Sequence, residues 1–295
     1  MGMSSASAPP RLAYAAWAAV CVLWGTTYLA IRIALETVPP FLMGGLRWTA
    51  AGALVLSVLA ARGVRLPGPR TWPSLALLGA LFVGAGNGGV VWAEQVVPSG
   101  LAALLVATVP FWMLVTEPFG PDPAPVGLRR LLGLGIGFSG IVLLVWPDLR
   151  MAQGRSFLFG VLATQLACAG WAAGSTIAKR SHIAEHVMAA AGFQQLFGGL
   201  MMLALGLATG EWAHLAFTPR TAGAVAYLFL FGSIAGFSAY TYALRHLPAT
   251  FVSLYAYVNP VIAMVLGAVV LGEPLGPRVA VAGAVVLVGM VLVRK

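Results

Sequence analysis

Charge is what this sequence has least of. Only 8% of its 295 residues are Asp, Glu, Lys or Arg, against about 25% in a soluble domain. So few ionised side chains cannot clothe a surface that faces water. Cysteine is nearly missing as well. Cys21 and Cys168 both lie in apolar runs, so neither a disulfide framework nor a thiolate metal site is expected. His182 and His186 sit in a polar connector with no acidic or thiol cluster beside them, which reads as a solvated loop and not as a metal site. No Ser-His-Asp arrangement and no HExxH motif is found. No catalytic residue and no cofactor is therefore assigned.

What fills the chain instead is apolar. Hydrophobic residues make up 60% of it and its mean hydropathy is +0.92, the composition of an all-α integral membrane protein. The net charge of +9 comes in ones, twos and threes between long oily runs. That pattern orients membrane helices and does not form a nucleic-acid-binding stripe. After the polar tail MGMSSASAPPR, the first apolar run starts at Leu12 and exceeds the ~7–15 residues of a signal-peptide core, so it reads as a retained span.

A bilayer crossing takes about 20 mostly apolar residues. On that measure ten spans are predicted, at 12–34, 40–61, 72–93, 98–117, 128–146, 156–178, 187–209, 221–244, 248–271 and 277–294. Pro39-Pro40, Pro67-Gly68-Pro69, Pro98, the PDPAP at 121–125, Pro147, Pro219 and Pro274 punctuate them. With the N-terminus cytoplasmic, eleven Lys and Arg residues fall on the inner side and five on the outer. The positive-inside rule then puts both termini in the cytoplasm.

The two halves of the chain echo each other. Cys21, Trp24, Arg32 and Arg47 fall on Cys168, Trp171, Lys179 and Gln194 at an offset of 147; Gly86, Pro98 and Pro110 fall on Gly236, Pro248 and Pro260 at an offset of 150. Two copies of a five-helix unit are implied, with boundaries at 1–147 and 148–295. An odd number of crossings inverts the second copy, giving a pseudo-two-fold axis in the membrane plane. Such an inverted repeat favours a transporter.

These features carry a family resemblance. The first helix reads WGTTYLAIR, the second has GGLRW, and paired proline helices follow, VPSGLAALLVATVP at 97–110 and LPATFVSLYAYVNP at 247–260. Over nearly its whole length the chain resembles the EamA branch of the drug/metabolite transporter superfamily. The resemblance implies a bacterial-type inner-membrane permease that exports small metabolites, commonly amino acids or amphipathic compounds.

Candidate residues follow from position. Pro110 and Pro260 lie about 18 Å past their helix starts at 1.5 Å per residue, near the midplane. There each is expected to bend its helix and free a backbone carbonyl, that of Val106 or Ala256. Tyr255 and Asn259 share a face of the ninth helix. Trp24 and Trp171 lie deeper than an interfacial belt requires. Asn87 is a lone amide in an apolar span, and Trp92 aligns with Tyr242 as Gly88 does with Ser238. Trp24, Asn87, Trp92, Trp171, Ser238, Tyr242, Tyr255 and Asn259 are the expected substrate contacts, with core filling, packing or backbone pairing as the competing roles. Two GxxxG spacings, Gly84/Gly88 and Gly232/Gly236, suit close helix packing. Arg47, ~10 Å inside the second span, is expected to snorkel, to pair with Glu94 or to attract an anionic group. Glu117 and Glu273 are read as helix-end caps or gate residues. No carboxylate is placed at the midplane to couple protons.

An aromatic-rich, weakly charged cavity suits aromatic or hydrophobic amino acids. A carrier of phosphorylated or nucleotide-linked metabolites is the first rival; its substrate wants two or more cations at depth, and only Arg47 offers itself there. A membrane-embedded enzyme and a structural subunit are the rivals of another class. The expected partners are a small-molecule substrate and the lipid bilayer, with the protein a monomer or homodimer.

Overall fold

The computed structural model describes residues 11–119, 127–145, 154–180, 186–273 and 276–294. The PDPAP segment, Pro147, His182 and Pro274 lie outside them, as does the side chain of Glu117. Within them every regular element is helical. Ten helices follow one another: α1 Arg11–Ala34, α2 Pro40–Ala61, α3 Pro69–Ala93, α4 Ser99–Thr116, α5 Leu128–Val145, α6 Gly154–Arg180, α7 Val187–Ala208, α8 Pro219–His246, α9 in two pieces (Ala249–Val252 and Tyr255–Leu271) and α10 Pro277–Arg294. Seven of them (α1–α4 and α6–α8) are long and apolar enough on their own to cross a membrane. Large apolar side chains stand exposed on their outer faces, among them Leu166 at 71% and Val269 at 79%. A water-facing surface does not tolerate such display over a whole bundle, and lipid does.

Helix starts follow the punctuation in the sequence. Pro40, Pro69, Pro219 and Pro277 each occupy the first helical position, where a missing N–H costs nothing. The α8 start adds a capping box between Thr218 and Thr221.

The main helix contacts recur when each helix is exchanged for the one five places on. Helix α2 packs on α7 and α5 on α10; α1 lies against α9 as α6 lies against α4; α1 touches α8 as α6 touches α3. This is the packing of two five-helix repeats placed upside down against each other. The α2–α7 seam is the most extensive contact. At Gly52 an added Cβ would sit 2.5 Å from the Leu196 backbone nitrogen, and at Gly199 it would meet the backbone of Thr49. Backbones approach this closely only where side chains are absent.

Four of the ten helices are irregular, in matching pairs. Within α3 the stretch Ala80–Asn87 is π-helical, and within α8 so is Leu228–Gly236. Helix α4 breaks at Ala107–Thr108 and α9 at Ser253–Leu254. The first gap lies beside Pro110, whereas the second lies away from Pro260. The α-helix runs on through Pro260, and the gap opens six residues earlier. With its amide oriented nitrogen-first, Asn259 donates to the carbonyls of Tyr255 (3.2 Å) and Cys21 (3.0 Å), so this buried side chain is paired with backbone within the bundle. Each gap is stitched from a neighbouring helix. Gln165 and the Cys168 thiol reach the Leu105 carbonyl, while the Trp17 indole donates to the Val252 carbonyl at 3.2 Å.

Candidate substrate cavity

The irregular helices meet around a cavity of about 70 Å³, room for a handful of waters at ~10–15 Å³ each. Its lining draws on α1 (Trp24, Thr27, Tyr28, Ile31), α2 (Arg47, Trp48), α3 at and just past the end of its π segment (Gly86, Asn87, Val90), α4 at its break (Val106, Val109), α6 (Ala167, Cys168, Trp171), Gly232 of α8 and Tyr255 of α9. Both repeats contribute.

Two tryptophans form the walls. Trp24 and Trp171 meet edge to face with ring centroids 5.3 Å apart. Each lies on a glycine of the opposite repeat, Trp171 on Gly86 and Trp24 on Gly236. A side chain at either glycine would collide with the ring, so the small residue sets how deep the indole can seat. The Trp24 N–H donates to the Gly232 carbonyl at 3.2 Å, and the Gln195 amide donates to that of Ser233 at 3.0 Å. Side chains thus satisfy two carbonyls of the α8 π segment. Trp171 donates instead to the Tyr240 hydroxyl at 2.8 Å, which also meets Ser175 at 2.7 Å. Tyr240 and Tyr255 lie 5.1 Å from Trp24 and complete an aromatic cluster in a geometry favourable for ring pairs.

The one charge in this lining is Arg47, 3% exposed. Its Nη2 donates to Asn87 Oδ1 at 2.8 Å, and Trp48 Nε1 donates to the same oxygen at 2.8 Å. The guanidinium carbon lies 4.8 Å from the Trp48 ring centre, a cation–π distance. Arg47 forms no hydrogen bond to Glu94. Both Glu94 carboxylate oxygens and the Arg47 Nε are buried without a partner. The pairing expected between them is replaced by Arg47–Asn87, because Asn87 ends the π segment and projects its amide to the guanidinium.

The remaining candidates divide. Trp24, Asn87, Trp171 and Tyr255 line the cavity, as does Arg47. Asn259, 1% exposed, stands behind the wall: it is spent on backbone carbonyls and on the Tyr28 hydroxyl. Trp92, Ser238 and Tyr242 are half-buried and outside the lining, the Tyr242 ring lying tilted against His246 at 4.3 Å. Sequence reasoning missed Tyr28, Trp48, Cys168 and Tyr240. Tyr28 lay within the quoted WGTTYLAIR run, and Cys168 had already matched Cys21; position inside those repeats was the available signal.

One end of the bundle carries the connectors 35–39, 94–98 and 209–218 and residues 272–273. Here acidic side chains bind helix starts. Glu211 accepts from the backbone N–H groups of Phe41 (3.3 Å) and Leu42 (2.8 Å), and Glu273 from those of Ser99 (2.8 Å) and Gly100 (3.1 Å). A carboxylate at a helix N-terminus satisfies orphan donors and complements the macrodipole. The expectation that Glu273 caps a helix end agrees with this contact. Arg220 bonds Glu36 at 3.1 Å across the same end, where both side chains are exposed.

Two successive stretches, residues 11–146 and 158–295, match the EamA-like transporter family. The chain belongs to that family. It is 38% identical over 281 residues to an uncharacterized inner membrane transporter, YedA, of Escherichia coli (strain K12), covering 93% of this chain and 88% of that protein. To a probable terminal-alkyne amino-acid exporter of Streptantibioticus cattleyicolor it is 28% identical, covering 97% of this chain and 95% of the relative. A crystal structure with 21% sequence identity superposes with a TM-score of 0.67, over 95% of this chain and 96% of the other, which shows the shared fold. An EamA-like protein with this cavity is a membrane transporter, and the family points away from an enzyme.

Proposed function

We propose that the protein is an alternating-access exporter of small amphipathic metabolites that carry one carboxylate, aromatic and hydrophobic amino acids foremost. It resides in the inner membrane with both termini cytoplasmic, and its repeats, 1–147 and 148–295, rock about the cavity. The observation that carries this reading is the lining itself: indole and phenol rings around a single buried guanidinium whose Nε has no partner. Rings offer dispersion and quadrupole contact to an apolar side chain, and a guanidinium fork matches a carboxylate. The likeness to a probable amino-acid exporter supports the same substrate class. A phosphorylated metabolite is served less well, because the described lining holds one cation and a phosphate dianion calls for more.

Counterflow of labelled amino acids in proteoliposomes tests the proposal. Exchange of phenylalanine or leucine is the expected result. Absence of counterflow with every amino acid tried, alongside counterflow of a sugar phosphate, would overturn it.

A further inference from the structure

Arg47 is the cation of the described lining, and no Asp or Glu stands in that lining with it. An amino acid brings an ammonium group as well as a carboxylate, and a guanidinium repels it. Whatever receives the ammonium in this cavity is therefore a neutral group.

Helix α4 offers one. Its first piece, Ser99–Val106, stops at the break, and Val106 and Val109 on either side of the break line the cavity. A helix C-terminus carries partial negative charge, because its last carbonyls have no N–H to bond. The two carbonyls at this end differ in their partners. That of Leu105 accepts from the Thr108 N–H at 3.1 Å and from Gln165 Nε2 at 3.4 Å, with the Cys168 thiol at 3.8 Å. In a continuous helix that of Val106 would accept from the N–H of residue 110, which is a proline and has none. The same Cys168 thiol lies 4.0 Å from it. One weak S–H donor cannot serve both carbonyls, so the Val106 oxygen is open to a further donor.

The surroundings suit a cation. Tyr28 and Tyr255 line the cavity, and both lie within electrostatic reach of Cys168, on the side of the Val106 carbonyl. The Trp24 ring, 5.1 Å from Tyr255 and 5.3 Å from Trp171, adds π faces that attract positive charge. Arg47 keeps to the side of α2, α3 and α8, bonded to Asn87 and beside Gly232. The other repeat makes no such helix end. The first piece of α9 is only Ala249–Val252, and the Val252 carbonyl accepts from Trp17. Ala256, four residues before Pro260, is 1% exposed and outside the lining.

We propose that the break in α4 is an ammonium subsite, in which the Val106 carbonyl accepts from the substrate N–H with the Tyr255 hydroxyl and the Trp24 and Trp171 rings around it. Pro110 is then a specificity-determining residue: by withholding an N–H it keeps that carbonyl open. This inference rests on the amino-acid reading above and adds the partner of the amino group. A primary amine without a carboxylate engages the same subsite.

The test reads binding to the purified full chain by thermal stabilisation. Its probes are phenylalanine, phenethylamine, which lacks the carboxylate, and hydrocinnamate, which lacks the ammonium. Wild type is expected to bind phenylalanine and phenethylamine. Pro110→Ala supplies the missing N–H and should weaken both by about tenfold, as expected for loss of a hydrogen bond to a charged group. Hydrocinnamate should change by less than about twofold, as should all the probes in Pro260→Ala, whose carbonyl is outside the cavity. Undiminished phenethylamine binding in Pro110→Ala overturns the proposal. So does an equal loss of every probe, the same selective loss in Pro260→Ala, or no binding of phenethylamine to wild type. Should Pro110→Ala fail to fold, Tyr255→Phe decides. It removes a hydroxyl from the subsite and should weaken phenylalanine and phenethylamine by about threefold or more while sparing hydrocinnamate; unchanged binding of both overturns the proposal. Binding of phenethylamine without phenylalanine removes the substrate class proposed above and supports the subsite.

Discussion

Asn87 offers the sharpest separation between holding the cavity together and binding what enters it. Its Oδ1 takes two bonds, from Arg47 and from Trp48, both 2.8 Å long. Asn87→Leu strips the acceptor from two buried donors at about 1–3 kcal/mol each. The expected loss of about 2–6 kcal/mol is a large share of a typical ~5–15 kcal/mol stability. Asn87→Asp has nearly the same volume and keeps an oxygen in place, so the fold is expected to survive with little change in melting temperature. It also cancels the charge of Arg47. A hydrogen bond from a guanidinium to a substrate carboxylate is worth about 1.5–3 kcal/mol, or roughly ten- to a hundredfold in Kd. Binding of phenylalanine and of phenethylamine, its decarboxylated counterpart, is then compared by thermal stabilisation. Asn87→Asp should weaken the amino acid by that factor and leave the amine at least as well bound. Undiminished phenylalanine binding in a folded Asn87→Asp protein refutes the role given to Arg47.

Other expectations follow from particular contacts. Gly86→Ala places a methyl group 2.8 Å from Trp171 Cε3; it should displace the indole, reduce substrate affinity several-fold and show as a shifted tryptophan emission. Glu273→Ala removes both acceptors from the α4 start and should cost about 0.5–2 kcal/mol, read as a lowered melting temperature. Pro260→Ala lies in a helix that is already continuous, so turnover in counterflow should stay within about twofold, since an interior proline removes one backbone bond and not the gap at Ser253–Leu254. Cys168, 1% exposed at the cavity wall, should react with a maleimide only as the cavity opens, and saturating substrate should slow that labelling.

The ten spans were legible because hydropathy and proline placement act locally; predicted and observed ends mostly agree to within three residues, as at α2, 40–61. The repeat was legible through residues that mark backbone constraints, such as Gly86 and Gly236. What composition does not encode is helical register. A π segment has the same apolar content as an α segment but adds residues per turn; depth along the two helices suggested Glu94 for Arg47, whereas the guanidinium bonds Asn87 at the end of that segment. Tyr240 was passed over for a related reason. Matching by offset selected its neighbours Ser238 and Tyr242, whereas burial against Trp24 and Trp171 depends on which way α8 faces after its own π segment. Proline was the visible mark of irregularity in α4 and α9, and in α9 the actual gap sits at Ser253–Leu254, where the sequence shows nothing unusual.

Where α2 and α7 cross at Gly52 and Gly199, main chain rests on main chain, and no side chain stands between them to swing aside. Such a pair would act as one stiff beam, with little freedom to slide by fractions of a turn. A motion that opened one mouth of the cavity and shut the other would fall to the irregular helices around it, α3 and α8 at their widened turns and α4 and α9 at their gaps. The beam would be the fulcrum, and those four would do the flexing.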